Sequence, residues 1–317
     1  MAKSLPSFTE VVKQSWELFR TKFKQLFLLN LVFAIFASLV AIVIGGVTAG
    51  TIAWKLIGSA ASGQITSSEA LPLVIEMLPK LGLMLLLLVV AMSFVSAIFE
   101  ASRIYLLKGN KKFGELLAFG KTKMLRVFAA TLLVGLITIG GFWLLGIPGL
   151  LFCYLTSFTI YEVVLSQDRL GTCMKRSIGI IWDNFWPLLG RFVLMVVIVG
   201  VARSIFSKAS GDARQGMELL AWLVDTLTSW FLVVYSYVLY THAKEATSKS
   251  VKVSLAWVVV PAVIGWIVFG TIVVGGAKFL QSRGVFDDFW GKVDQMIQDE
   301  DKNIKMPDTL GNLDQTS

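Results

Sequence analysis

Charge and apolarity vary along this chain on two length scales, and each scale predicts its own kind of helix. On the longer scale, seven charge-poor apolar stretches lie between Leu26 and Ala277. A helix rises ~1.5 Å per residue and must cover ~30 Å of hydrocarbon, so about 20 apolar residues make a span. Leu26 to Ile44 and Leu81 to Phe99 are charge-free and predict spans one and two. The loop between them, Ile57 to Pro72, is rich in Ser, Ala and Gly and reads as water-exposed, with a short apolar-periodic piece at Val74 to Leu78. Val127 to Tyr161 carries no charge over 35 residues, too many for one span, and the turn residues Gly146-Ile147-Pro148-Gly149 divide it into spans three and four. Span five, Trp186 to Phe206, holds Arg191 and Arg203, whose long side chains must snorkel to reach water. Leu219 to Thr241 with its single Asp225, and Val253 to Ala277 with Pro261, predict spans six and seven.

On the shorter scale an amphipathic pattern precedes three of these runs. Phe8 to Ser15 and onward to Phe23 aligns without gaps on Leu170 to Ser177 and Phe185, and Phe113 to Gly120 and Phe128 fits the same frame. In the first copy Phe8, Val11, Val12, Ser15, Phe19 and Phe23 recur at three- and four-residue steps, while Glu10, Lys13, Glu17 and Arg20 take the other side. Ser7 with Glu10 forms a capping box that starts the helix there. Helices of this kind are expected to lie in the headgroup plane before the chain turns into the bilayer. The third copy leads into span five and so favours seven spans over six.

Composition agrees: the chain is 56% hydrophobic, 16% charged and has a mean hydropathy of +0.73. The first apolar run starts only at Leu26 and is followed by no small-residue cleavage site, so it reads as a retained span. Cys153 and Cys173 form neither a CxxC nor a disulfide framework, and His242 is the sole histidine; no metal or other cofactor is expected. Of 29 Lys and Arg, 19 fall on the side of the N-terminus in the seven-span arrangement, which places that terminus in the cytoplasm under the positive-inside rule. The count fits six spans as well. Trp54, Trp143, Trp182, Trp186 and Trp257 fall near span ends, as an aromatic belt would.

Several local sequences carry a resemblance. Gly146-Ile-Pro-Gly149, Glu162 ahead of Gly171-Thr-Cys-Met-Lys-Arg-Ser177, and Asp183-Asn-Phe-Trp186 resemble the membrane domain of bacterial glycerophosphodiester phosphodiesterases and related membrane proteins; Ser15-Trp-Glu-Leu-Phe19 is similar to the same element. The resemblance runs from Ser7 to Lys244 and implies a six-span helical membrane domain with no catalytic residue. In those enzymes the chemistry resides in a soluble barrel that follows the membrane part. Here one further span and a tail follow instead.

The expected organisation is therefore an all-α polytopic membrane bundle of about seven helices with amphipathic interfacial helices, in a bacterial cytoplasmic membrane. An amphipathic leading helix occupies 1–25, a six-span core 26–245, an additional span 246–277, and an acidic extracytoplasmic tail 278–317. The tail holds 5 basic and 8 acidic residues, and Phe286, Trp290, Val293 and Ile297 predict a short amphipathic helix from Val285 to Gln298 before a disordered polar end.

Two sets of residues could carry function. Lys108, Lys111, Lys112, Lys121 and Lys123 would favour anionic lipid headgroups at ~1 kcal/mol each near the surface, although positive-inside topology explains the same residues. The ionisable residues Glu100, Arg103, Glu162, Arg191, Arg203 and Asp225 lie in or at the ends of spans, where charge is costly. Glu100 and Arg103 are three apart and predict an intrahelical pair; Glu162 is expected to meet Arg169, Lys175 or Arg191; Asp225 needs a partner from another span, with Arg203 the candidate. No HExxH, GxSxG or phosphate-binding Gly-Lys-Ser/Thr loop is present, so no catalytic residue is assigned. The expected role is non-catalytic, organising the membrane or binding lipid or a membrane protein partner, with no nucleic acid involved. The alternative is a transporter or channel whose polar path uses Glu100, Glu162 and Asp225.

Overall fold

The computed structural model describes residues 5–61, 67–144, 146–211, 216–247, 254–284, and 291, 292 and 295. Its helices are α1 (Phe8–Ala61), α2 (Ser67–Lys108), α3 (Phe113–Trp143), α4 (Ile147–Thr156), α5 (Thr159–Leu165), α6 (Leu170–Asp183), α7 (Phe185–Gly211), α8 (Gly216–Ala246) and α9 (Ala256–Ser282). No strand occurs among the described residues. Among the described residues seven segments are long and apolar enough to cross a membrane: Phe8–Gly46, Pro79–Lys108, Phe113–Trp143, Ile147–Leu165, Phe185–Ser204, Trp222–Ala246 and Ala256–Ser282. The chain is an all-α, multi-pass integral membrane protein.

Gly146 makes the predicted break between spans three and four. Its φ of 80° lies in the left-handed region that glycine enters without a Cβ clash, and Pro148 sits in the first turn of α4, where a missing N–H costs nothing. Span four is itself two helices. The Thr156 hydroxyl bonds back to the Phe152 carbonyl at 2.7 Å, a competition with the helix ladder that bends it, and α5 starts afresh at Thr159.

The repeated segment proves to be a packing face, with a different relation to the spans than its sequence predicts. Val11, Leu116 and Cys173 occupy one position of the repeat and are all fully buried; Ser15, Gly120 and Ser177 occupy the next turn and are buried too. A Cβ on Gly120 would lie 2.2 Å from Ser102 Oγ, and that hydroxyl instead donates to the Leu116 carbonyl at 2.9 Å. In the third copy the roles reverse, with Ser177 donating to the Leu155 carbonyl at 3.3 Å. Only this third copy is a separate helix. Pro187, two residues into α7, would clash with the carbonyl four residues back if α6 continued, whereas Gln25 and Ala130 at the same repeat position allow it. Thus α1 and α3 run unbroken from amphipathic to apolar sequence, with no break in the helix between residues 25 and 26. The predicted loop at Ile57 to Pro72 is likewise helical up to Ala61 and from Ser67, as its alanine content allows.

The described chain falls into two units, one within Met1–Ala37 and Ser93–Val268, the other within Ser38–Met92 and Phe269–Ser317. The first holds the core, centred on the buried rings of Phe158, Tyr235 and Tyr240. The described side chains of the second include exposed apolar helix surface, among them Ile42, Leu83 and Leu85, the composition that lipid tails solvate. The amphipathic helix expected over 285–298 lies outside the described residues apart from Gly291, Lys292 and Gln295, and the polar end lies wholly outside them.

Candidate functional site

Glu162 is the most deeply placed charge in the first unit. The short α5 carries it into the core beside Tyr161 and Val163, and its side chain has no exposed surface. Burying an isolated carboxylate is prohibitive, so the surroundings must supply donors. Three arrive from two other helices. Tyr240 Oη and Lys244 Nζ of α8 each donate to Oε1 at 2.8 Å, and Arg176 of α6 donates to Oε2 at 3.0 Å. Arg176 also holds Asp168 at 2.8 Å, and Lys244 donates to Tyr240 Oη at 2.8 Å. Burial works against the Arg176 charge, but the bonds to Asp168 and Glu162 and their negative charges outweigh it and raise its pKa above the ordinary guanidinium value.

This is not the partner set expected from sequence. Arg169 and Lys175 are exposed, and Arg191 is engaged elsewhere. The register of α6 decides it: Cys173, Ser177 and Ile180 face the core, and Arg176 at the edge of that stripe can reach inward. The readable signal for Lys244 was its spacing of four from Tyr240 on one face of α8. With both Glu162 oxygens taken by protein donors, the cluster is a clamp joining α5, α6 and α8.

The other intramembrane charges are held separately. Arg103 pairs with Glu100 at 3.4 Å as predicted, donates to Asn30 Oδ1 on α1 and lies 5.4 Å over the Phe33 ring. Arg191 donates to the Pro187 carbonyl at 2.7 Å and to the Pro6 carbonyl, fastening the start of the chain to α7. Arg203 meets Asp225 at 2.5 Å, the partner that the sequence nominated. The side chains of this last pair are 45% and 55% exposed. Exposed pairs contribute about 0–1 kcal/mol, so Asp225→Asn is expected to shift unfolding free energy by under ~1 kcal/mol in detergent titrations. Each of the three acids proposed for a polar path therefore has a cation of its own.

The basic residues divide. Lys123 is half-buried and donates to the Ser166 carbonyl at 2.8 Å, where it closes the C-terminal end of α5. Lys108, Lys112 and Lys121 are exposed, and the half-buried Lys111 lies 5.5 Å over Tyr105. Lys108, Lys111 and Lys112 flank the turn from α2 to α3, with Lys121 further along α3, and α1 holds that turn in place: the buried Lys22 donates to the Gly109 carbonyl at 3.0 Å and to Asn110, and Gln25 donates to the Lys111 carbonyl at 3.3 Å. Sequence reasoning missed Lys22, Gln25 and Asn30, because nothing in α1 alone indicates which turn it will meet. Among the described residues no group of acidic, His or Cys side chains could hold a metal ion. Comparison of the chain with protein-family models, with curated proteins and with solved structures gives no match.

Proposed function

We propose that this protein is non-catalytic and organises the membrane by holding anionic lipid at the α2–α3 turn, on the cytoplasmic side of a cytoplasmic membrane. The observation that supports it is the contrast between two sets of charges. Those within the spans are bonded to protein groups, while Lys108 and Lys112 stay exposed beside a turn that Lys22 and Gln25 hold in place, with Lys121 exposed further along α3. Each surface cation adds ~1 kcal/mol toward anionic headgroups. The excess of Lys and Arg on this side, 19 of 29, favours a cytoplasmic N-terminus. We further propose kinship of residues 7–244 with the membrane domain of glycerophosphodiester phosphodiesterases, on the strength of the Gly146–Gly149, Glu162, Gly171–Ser177 and Asp183–Trp186 sequences.

The test is mass spectrometry of lipids and proteins retained in mild detergent. Wild type is expected to retain anionic lipid above its share of the membrane, and changing Lys108, Lys111 and Lys112 to Gln should lower that enrichment about tenfold or more, on the scale of ~1 kcal/mol per cation. Equal lipid profiles would refute the proposal. So would a solute flux in liposomes that Asp225→Asn abolishes, which would favour transport; a single protein retained only by the wild type would favour partner docking.

A further inference from the structure

A groove of about 560 Å³ opens between α1, α7 and α8. Its walls follow from helical periodicity. Trp16, Phe19, Arg20 and Phe23 share one face of α1, and Met195, Ile198, Val199 and Ala202 recur at three- and four-residue steps on α7. Phe231 of α8 forms the floor, with its ring 5.8 Å from that of Phe19 and 6.2 Å from that of Trp16. The volume falls in the ~300–1,000 Å³ range of small-ligand sites.

Two features of the lining select the occupant. Nearly all of it is apolar, yet it includes Arg20, which has no hydrogen-bond or ion-pair partner among the described residues. The walls belong to spans one, five and six, so lipid is the surrounding medium. An apolar groove alone discriminates little there, because lipid tails are as apolar as the walls. Arg20 supplies the missing selectivity, since a guanidinium binds phosphate through paired N–H donors. Trp16, one turn before Arg20 and 56% exposed, is the residue type that settles at headgroup level.

We propose that this groove seats one acyl chain of a membrane phospholipid whose phosphate is held by Arg20. The inference rests on the lipid-interacting reading but on different residues, so the two can fail separately. The test reconstitutes the full chain in phosphatidylcholine vesicles with a trace of phosphatidylglycerol or diacylglycerol bearing the same photoactivatable chain. Labelled peptides covering Met195–Ala202 are compared with those covering the exposed Leu132, Leu136 and Ile139 of α3.

Groove peptides are expected to take up the phosphatidylglycerol probe about fivefold over diacylglycerol, the scale of one cation acting on an anionic lipid. Arg20→Ala should bring that ratio close to one, and Arg20→Lys should largely restore it. Ala202→Trp should fill the groove and reduce its labelling by both probes, with the α3 peptides unchanged. A ratio of one in wild type, or labelling indifferent to Arg20→Ala and Ala202→Trp, would overturn the proposal. Unlabelled groove peptides would also overturn it and point to a second copy of the chain as the occupant. Selective groove labelling that survives loss of lysine-dependent lipid enrichment would refute the α2–α3 reading alone.

Discussion

Replacing Arg176 and Lys244 together with leucine is expected to destabilise the protein by about 3–5 kcal/mol, the cost of leaving a buried charge without its partners. The asymmetry of the cluster makes this the severe direction. Glu162 has no exposed surface and cannot reach water, whereas the Arg176 and Lys244 side chains are 40% and 43% exposed and can swing outward. Removing the charge from the other side, with Glu162→Gln, therefore costs less: the amide oxygen still accepts from Tyr240 and Lys244, and the loss is about 1–2 kcal/mol. Unfolding in graded detergent–SDS mixtures measures both. Equal losses would show that Glu162 reaches solvent and that the clamp is not closed.

The second large effect belongs to the contact between α3 and α9. A Cβ placed on Gly265 would lie 1.8 Å from the Gly140 carbonyl oxygen, and one on Gly140 would lie 2.4 Å from the Ala262 carbonyl oxygen. Both obstacles are helix backbone, which cannot rotate aside as a side chain could. Small residues that let backbones approach are a principal means of helix association in lipid, where no hydrophobic gain separates protein neighbours from tails. Gly265→Ala must part the helices and strain the 2.9 Å bond from Trp266 Nε1 to the Leu136 carbonyl, at an expected cost of about 3 kcal/mol. Gly135, five residues earlier on α3, meets nothing within 4 Å, and Gly135→Ala should stabilise by up to ~1 kcal/mol through helix propensity alone. If the two alanine variants unfold alike, the close approach is wrong.

What the sequence made legible follows from the range of each signal. Span number and the Gly146 turn depend on local composition and backbone chemistry, and both could be read directly. The Glu100–Arg103 pair lies within one turn of one helix, and Asp225 is the one acid in span six as read from sequence, near the same end of its span as Arg203 of span five, so the Arg203–Asp225 pair could be nominated. Glu162 was visible as a costly charge, but its partners depend on how α6 is rotated against α5 and α8, which no single helix records. The repeat was legible as a pattern and its meaning was not. Amphipathic spacing is the same for a helix resting on a membrane surface and for one packed against neighbours, and burial at Ser15, Gly120 and Ser177 shows that the small-residue face is packed against protein. Continuity into the span was decided by a single proline, Pro187, present in one copy of three.

The central claim is that the chain crosses the membrane seven times, span five included. The 2.8 Å contact between Glu162, near the end of span four, and Lys244, near the end of span six, carries it, because the two ends share a side and, with span six crossing, span five must cross as well. In a background with Cys153→Ala and Cys173→Ala, single cysteines at Ile147, Gln167 and Thr247 can be probed with a membrane-impermeant maleimide in sealed vesicles of uniform orientation. Gln167→Cys and Thr247→Cys should react from one side and Ile147→Cys from the other; reaction of Gln167→Cys and Thr247→Cys from opposite sides would mean that span five does not cross.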